Sequence, residues 1–321
     1  MMRITQEQVQ SIREGKAAVI TDIQRFKAHD GPGIRTMLFF KGCPLRCKWC
    51  QNPETWHREP ELMYFPNLCL GDGQCVKTCP SGSLSIGETG LQMDSSKCLR
   101  CGKCTNVCYA EALKVTGRYI SLEEAKKRIL DDEVFFKVSG GGVTLSGGEC
   151  TMFPKFIGNL LGAAKEHKIH TAIETCGFWS WNSMKDVVPL IDLFLYDIKV
   201  PFGEKSRKYT GQDSELILQN LERLRDMGKR VILRMPFIPG VNTDDETLHA
   251  VGEIAKRNRI EELHILPFHQ VGSNKWHALR RQYDCESWRI PTEEETQNAK
   301  TILQDYIPYV SIGGQEYHEE S

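Results

Sequence analysis

Ten of the thirteen cysteines in this 321-residue chain lie in three tight groups before residue 110. Such grouping is typical of a disulfide framework in a secreted protein or of metal ligands in a cytosolic one. The N-terminal segment, MMRITQEQVQSIREGK, is polar and lacks the apolar stretch of a signal peptide. We therefore expect a cytoplasmic protein whose grouped cysteines bind metal.

The charge balance and the apolar pattern argue against two classes of partner. The chain has 41 basic and 42 acidic residues, which gives no overall attraction to nucleic acid or to an anionic membrane. No apolar stretch approaches the roughly 18–20 residues that span a bilayer. The sequence therefore predicts a protein that binds neither nucleic acid nor membrane.

The first cysteine group lies in one short loop with the sequence GCPLRCKWCQN and consists of Cys43, Cys47 and Cys50. Three thiolates at this C-x3-C-x2-C spacing can hold three irons of a [4Fe–4S] cube and leave the fourth iron open to a substrate. The alternatives are a redox-active thiol pair and a structural zinc site, for which His57 is the nearby candidate for a fourth ligand.

The other two groups lie in a stretch rich in glycine and turn residues. The third group has the C-x2-C-x2-C-x3-C spacing of bacterial ferredoxins, in which the fourth cysteine serves the other of two clusters. We expect one cluster on Cys79, Cys98, Cys101 and Cys104, and a second on Cys69, Cys75 and Cys108.

The second group departs from the ferredoxin pattern at one position. Asp72 stands where a cysteine is expected. A carboxylate is a harder ligand than a thiolate and binds iron less selectively. We therefore expect either that Asp72 ligates the second cluster or that this cluster loses one iron and becomes [3Fe–4S].

Outside this stretch, apolar runs alternate with amphipathic segments. The apolar runs predict strands at Met37–Phe40, Gly142–Leu145, His170–Glu174, Leu193–Asp197, Val231–Met235, Leu263–Leu266 and Val310–Ile312. Capping patterns and helical periodicity predict helices that begin after Ser121 and Thr243, that span Pro154–His167, Trp181–Val188 and Ser214–Met227, and that begin after Thr292.

This alternation predicts an α/β fold of about six strand–helix units, with a parallel sheet curled into a partial (β/α)6 barrel. We expect the core in residues 1–61 and 118–321, with a two-cluster ferredoxin-like module inserted at 62–117. Active sites of α/β barrels form at the carboxyl ends of the strands. Polar and glycine residues follow the predicted strands at that end, among them Gly147, Thr175, Asp197 and His269.

The cysteine loop and its surroundings resemble a known family. Trp49 precedes the last cysteine of the triplet, as in the signature of the radical S-adenosylmethionine (SAM) superfamily. The longer run DIQRFKAHDGPGIRTMLFFKGCPLRCKWCQNPE resembles the activating enzymes of glycyl radical enzymes, the relatives of pyruvate formate-lyase activase. The resemblance extends from about Ala18 to Gly314, and it implies a radical SAM barrel.

The resemblance implies an oxygen-sensitive oxidoreductase with a specific reaction. The amino and carboxylate groups of SAM would chelate the open iron, and an electron from the cluster would break the C5′–S bond. The 5′-deoxyadenosyl radical would then take a hydrogen atom from a glycine α-carbon of a partner glycyl radical enzyme. Flavodoxin or ferredoxin would supply the electron.

The resemblance also implies a set of SAM-binding positions and a possible monovalent cation beside SAM. These positions are Trp49, Cys50, Gln51, Gly147, Gly148, Glu149, Glu174, Thr175, Asp197, Lys199, Arg234 and His269. Asp30, in the run HDGPG, would contact the glycyl peptide.

Each of these motifs has a structural alternative. Glu149 can be a helix-capping acid, Asp197 and Lys199 a surface ion pair, and His269 a structural histidine. HDGPG can be a rigid turn. The insert clusters can relay electrons or only fold the insert.

Two other functions compete with the activase. One is a radical SAM enzyme that acts on a small molecule or a peptide. The other is a plain electron carrier, which would leave the motifs SGGE and DIK and the three-cysteine loop without a role.

Overall fold

The computed structural model describes residues 4–88, 90–94 and 96–314. The strands of this part are β1 Ala17–Lys27, β2 Arg35–Phe40, β3 Glu61–Tyr64, β4 Leu84–Gly87, β5 Gly90–Met93, β6 Leu113–Thr116, β7 Arg118–Ser121, β8 Gly142–Gly147, β9 His170–Thr175, β10 Leu193–Asp197, β11 Arg230–Phe237, β12 Glu262–Pro267 and β13 Tyr309–Ile312. The helices are α1 Gln6–Arg13, α2 Gln74–Thr78, α3 Lys103–Asn106, α4 Leu122–Leu130, α5 Glu133–Ser139, α6 Pro154–Glu166, α7 Trp181–Met184, α8 Gly203–Thr210, α9 Glu215–Asp226, α10 Asp245–Arg257, α11 Ser273–Ala278 and α12 Glu293–Gln304.

Nine strands form one sheet in the order β13-β12-β11-β10-β9-β8-β2-β1-β7. The strands from β2 to β13 in this order are parallel, whereas β1 pairs antiparallel with both β2 and β7. Within the residues described, no ladder joins β13 to β7, so the barrel is partial. All the predicted strands are present, and the predicted α/β class is confirmed.

The main apolar core lies between the sheet and the helices. In α6 the buried residues Phe156, Ile157, Leu160, Leu161 and Ala164 fall on one helical face. The ring of Phe156 packs edge-on against Phe40 of β2, with the ring centroids 6.0 Å apart. Burial of one such side chain contributes about 1.5–3 kcal/mol, so this layer fixes the position of the strands that carry the site.

Two predicted helix ends were wrong. The helix expected to be capped by Thr243 is capped by Asp244, whose side chain accepts from Thr247 N at 2.9 Å. The helix predicted over Trp181–Val188 ends at Met184, and a 3-10 turn follows at Val188–Leu190. Pro189 in this turn has no backbone N–H, so a helix could not continue through it.

The insert is closed at its base by the antiparallel pair β3 and β6, in which Glu61 faces Thr116. A second antiparallel pair is formed by β4 and β5. The small apolar cluster inside consists of Leu62, Tyr64, Cys75, Leu84, Leu91, Ala112 and Leu113, with further cysteines packed against it. The boundaries 62 and 117 stay a prediction.

Across the part of the chain that the structure covers, no helix is both long and apolar enough to cross a bilayer.

Candidate active site

A cavity of about 450 Å³ opens at the carboxyl ends of the parallel strands. Its walls come from the cysteine loop, from strands β8 to β12 and from the segment after β13, which shows that the sheet curves around it. The predicted residues that line it are Cys43, Cys47, Trp49, Cys50, Gln51, Gly147, Gly148, Glu174, Thr175, Asp197, Lys199, Arg234 and His269. The structure therefore brings together residues that lie far apart in sequence.

The cysteine loop is fixed by α8, a helix that the sequence reasoning missed. Arg46 N donates to Thr210 O at 2.7 Å, and Lys48 N donates to Tyr209 O at 3.1 Å. The indole N–H of Trp276 also holds the loop, donating to Cys50 O at 2.9 Å. The three thiols thus have a preorganised backbone.

The donor set fits an iron–sulfur cluster better than a zinc ion. Among the residues described, no three His, Cys, Asp or Glu side chains converge on one ion position, and in a cube each iron takes its own thiolate. His57 is exposed and does not line the cavity, so it does not supply a fourth zinc ligand. Burial raises the pKa of Cys50 to about 11, which disfavours the thiolate form that binds metal. Bound cations would reverse this effect by stabilising the thiolate.

Four charged side chains form a buried network on the strand ends. Arg234 Nε donates to Asp197 Oδ1 at 2.9 Å and the other end of its guanidinium bonds Glu174, while Lys199 Nζ donates to Asp197 Oδ2 at 2.8 Å. All four side chains are at most 16% exposed, so the alternative of a surface pair is wrong. Burial alone would raise the pKa of Asp197, but Arg234 and Lys199 outweigh it and lower that pKa.

Two polar neighbours of this network were given no role in the site from the sequence. The Ser146 hydroxyl donates to Glu174, and the thiol of Cys176 lies in the cavity wall directly after Thr175. The strand alternation, which places Ser146 and Glu174 on the inner face of β8 and β9, was the signal that could have found Ser146.

Glu149 does not have the position expected of a SAM ligand. It is fully buried and does not line the cavity. Its carboxylate accepts from the Thr175 hydroxyl at 2.9 Å and from Cys176 N at 2.8 Å, and it caps the 3-10 turn at Cys150 by accepting from Thr151 N at 3.3 Å. The capping alternative therefore describes its contacts, and Glu149 supports the cavity from behind.

Gly147 and Gly148 bring the backbone close to the neighbouring strand. Gly147 has φ +104°, and a Cβ at this position would overlap the backbone of Phe40. A Cβ on Gly148 would overlap Gly42 O. The two glycines thus let the end of β8 lie directly against the cysteine loop.

Alanine at Gly147 is expected to lower the free energy of unfolding by about 2–3 kcal/mol, because backbone strain and overpacking add. The control is Gly140→Ala, where φ is +67° but a Cβ meets nothing within 4 Å. This control should cost about 1 kcal/mol. Urea unfolding of both variants measures the difference, and equal losses would show that the contact with Phe40 is not tight.

The HDGPG loop reaches the inner face of the barrel. The buried Arg35 donates from Nη1 to Pro32 O at 2.9 Å, and the Thr144 hydroxyl donates to Asp30 O at 2.8 Å. Burial first, and then the negative charge of Glu174, raises the pKa of Asp30 to about 7. Asp30 therefore lies beside the buried charge network, and the loop is also a rigid turn.

This raised pKa predicts a pH-dependent stability. The folded chain keeps a proton on Asp30 that the unfolded chain releases near its ordinary pKa of 3.8, so stability falls as the pH rises from about 4 to about 7. In Asp30→Asn this dependence should shrink by about 1–2 kcal/mol between pH 5 and pH 8, allowing for partial exposure of the carboxyl. Urea unfolding at the two pH values tests it, and identical pH dependence in both proteins would contradict it.

Gln51 joins the cysteine loop to the loop after β12. Its side-chain amide donates to His269 O at 3.0 Å and accepts from Gly272 N at 2.9 Å. His269 itself is exposed at the cavity rim. Gln51 thus has a positioning contact that the sequence could not reveal.

The insert places its cysteines around two further cavities. One is lined by Cys79, Cys98, Cys101 and Cys104, among others. The other is lined by Cys69, Asp72, Cys75 and Cys108, among others. These are the two groupings expected from the ferredoxin spacing.

Comparisons with known proteins agree with this arrangement. Family profiles match the radical SAM superfamily at residues 99–251, a 4Fe-4S single cluster domain at 29–76 and a 4Fe-4S dicluster domain at 62–109.

Similar curated proteins extend over nearly the whole chain. The choline trimethylamine-lyase activating enzyme of Oleidesulfovibrio alaskensis is 37% identical over 92% of this chain and 98% of its own length. The trans-4-hydroxy-L-proline dehydratase activating enzyme of Clostridioides difficile is 36% identical over 92% of this chain and 99% of its own. The isethionate sulfite-lyase activating enzyme of Nitratidesulfovibrio vulgaris is 36% identical over 91% and 95%. This chain therefore belongs to the radical SAM superfamily, among the activating enzymes of glycyl radical enzymes.

Proposed function

We propose that this protein cleaves SAM reductively in the 450 Å³ cavity and takes a hydrogen atom from a glycine α-carbon of a partner glycyl radical enzyme. The observation that carries the proposal is the loop of Cys43, Cys47 and Cys50, which faces a buried network of charges of both signs. Cys43, Cys47 and Cys50 would hold a [4Fe–4S] cluster, which when reduced would supply the electron that breaks the C5′–S bond of SAM. The cavity volume lies within the range of about 300–1,000 Å³ that is usual for small-ligand sites.

The buried network suits a zwitterionic ligand. The amino-acid part of SAM carries an ammonium and a carboxylate, which complement Glu174 on one side and Lys199 and Arg234 on the other. The attraction of Asp197 and nearby thiols raises the pKa of Lys199 despite its burial, so Lys199 stays charged. Glu174, Thr175 and Asp197 would also hold the proposed monovalent cation.

The rest of the cavity wall orients the ligand and excludes water. Gly147 and Gly148 offer close backbone approach, and Leu45, Ile238 and Phe268 supply apolar surface. A dry wall prevents side reactions of a reactive species. Trp49, which lines the cavity, also packs within the protein, because it is buried with its ring centroid 6.3 Å from that of Tyr209.

We propose that Asp30 contacts the partner's peptide. With a pKa of about 7 it is protonated in a large fraction of molecules near neutral pH and can donate a hydrogen bond to a peptide carbonyl. The glycine α-carbon would then enter the cavity beside Glu174.

The proposal includes three iron–sulfur clusters and an external electron donor. The two insert cavities would each hold one cluster and relay electrons from flavodoxin or ferredoxin to the cavity cluster. The relay also explains why the insert carries cysteines in addition to an apolar cluster of its own.

The test mixes the anaerobically reconstituted protein, SAM and dithionite with candidate glycyl radical enzymes, beginning with any encoded beside it. We expect an electron paramagnetic resonance (EPR) doublet from a glycyl radical in one of them, together with 5′-deoxyadenosine. SAM cleavage with no protein radical in any partner, but with turnover of an added small molecule or peptide, would overturn the proposal in favour of that other radical SAM activity.

A further inference from the structure

The two halves of the insert have the same sequence spacing between their first three ligand positions. Asp72 follows Cys69 at the spacing at which Cys101 follows Cys98, and Cys75 and Cys104 come next at equal spacing. The last members of the two halves, Cys79 and Cys108, are exchanged between the two cavities. By position in the repeat, Asp72 is the counterpart of Cys101.

The backbone repeats as well. Gly73, with φ +68°, begins the short helix α2, and Gly102, with φ +75°, begins α3. The residue directly before Asp72 and the residue directly before Cys101 also have positive φ, +71° at Gly71 and +51° at Arg100. Asp72 and Cys101 therefore occupy equivalent positions in two turns of similar backbone conformation.

Asp72 lines one cavity together with Cys69, Cys75 and Cys108. One carboxylate oxygen accepts from Gln74 N at 3.1 Å. The ion pairs found among the described residues leave Asp72 without a basic partner. The other carboxylate oxygen of Asp72 is thus available to bind a cation, at the position in the repeat that Cys101 has in the other half of the insert.

We propose that the Asp72 carboxylate is the fourth ligand of the iron–sulfur cluster held by Cys69, Cys75 and Cys108. One iron of this cluster then has an oxygen ligand and three irons have thiolates. Because a carboxylate binds iron less tightly than a thiolate, this iron leaves first. A one-electron oxidant such as ferricyanide takes one electron from [4Fe–4S]²⁺, which releases Fe²⁺ and leaves [3Fe–4S]⁺. The inference holds whether or not the partner is a glycyl radical enzyme.

The test must first remove the cavity cluster, which also has one iron without a protein ligand. The full chain with Cys43, Cys47 and Cys50 replaced by alanine is reconstituted with iron and sulfide and then treated with one equivalent of ferricyanide. We expect a [3Fe–4S]⁺ EPR signal and about one released iron per chain, measured with a ferrous chelator. With Asp72→Cys added, both should disappear. Asp94→Cys, which adds a thiol to the insert at a residue that lines neither cavity, should behave as the parent.

Equal signals and equal iron release in the parent and in Asp72→Cys would overturn the proposal, as would a parent that keeps all its iron. If Asp72→Cys does not fold, Mössbauer spectra of the ⁵⁷Fe-reconstituted parent decide the question. One iron site with the larger isomer shift of oxygen ligation supports Asp72, and uniformly thiolate-ligated irons exclude it. Failure of the proposed function would instead show as absent SAM cleavage in the unmodified chain.

Discussion

Replacing Cys47 with alanine is expected to lower the formation of 5′-deoxyadenosine from SAM by more than about 100-fold. Changes to groups that only support a metal ligand already cost about 10–100-fold, so loss of a ligand itself should cost more. Cys47 is 7% exposed and lines the cavity between the other two cysteines of the loop. The measurement is product formation by chromatography after anaerobic reconstitution and reduction with dithionite.

Cys285→Ala is the matched control, because Cys285 is also buried in the same apolar cluster but does not line the cavity. It should keep its cleavage activity and the iron of the cavity cluster. Comparable activity in Cys47→Ala and Cys285→Ala would mean that the three-cysteine loop does not hold the reactive cluster.

Replacing Arg234 with methionine is expected to lower the free energy of unfolding of the metal-free chain by about 3–5 kcal/mol. Methionine fills much of the volume but leaves the carboxylates of Glu174 and Asp197 buried with only Lys199 to balance them. Part of the loss should be recovered at low pH, because protonation removes the unpaired charge. Urea unfolding at pH 5 and pH 8 measures both effects.

Arg257→Met provides the comparison. Arg257 pairs with Glu222 at 3.2 Å, but its side chain is 63% exposed, so its loss should cost no more than about 1 kcal/mol. If the two arginine variants lost similar stability, the network at the strand ends would not be the buried, mutually dependent group that the contacts indicate.

The parallel strands could be predicted because each is a short apolar run between amphipathic segments. The strand from Leu193 to Asp197 has the predicted limits, and the capping box of Thr292 with Glu295 begins α12 as expected. Since the carboxyl ends of parallel strands meet at the same edge of the sheet, the same pattern also predicted that Gly147, Thr175, Asp197 and His269 would lie at one end of the barrel, where all four line the cavity. Local sequence signals were therefore sufficient to locate a side chain that lies at the end of its own strand.

Features that depend on long-range packing were not predictable. The antiparallel strand β1 has a polar second half, and its pairing with both β2 and β7 is fixed by tertiary contacts. The helix α8, GEKSRKYT, lacks an apolar stripe and is held by its bonds to the cysteine loop. The position of Glu149 behind the cavity wall depends on two donors distant in sequence, Thr175 at the end of β9 and Cys176 directly after it.

Transfer of deuterium tests the central claim most directly. A partner glycyl radical enzyme labelled with α-deuterated glycine is mixed with the reduced protein and SAM, and the 5′-deoxyadenosine is analysed by mass spectrometry. We predict one deuterium in the 5′-deoxyadenosine and an EPR signal of a glycyl radical in the partner. This signal should lack the splitting by an α-hydrogen, because the radical carbon still carries deuterium. Product free of deuterium, formed while the partner stays without a radical, would contradict the account.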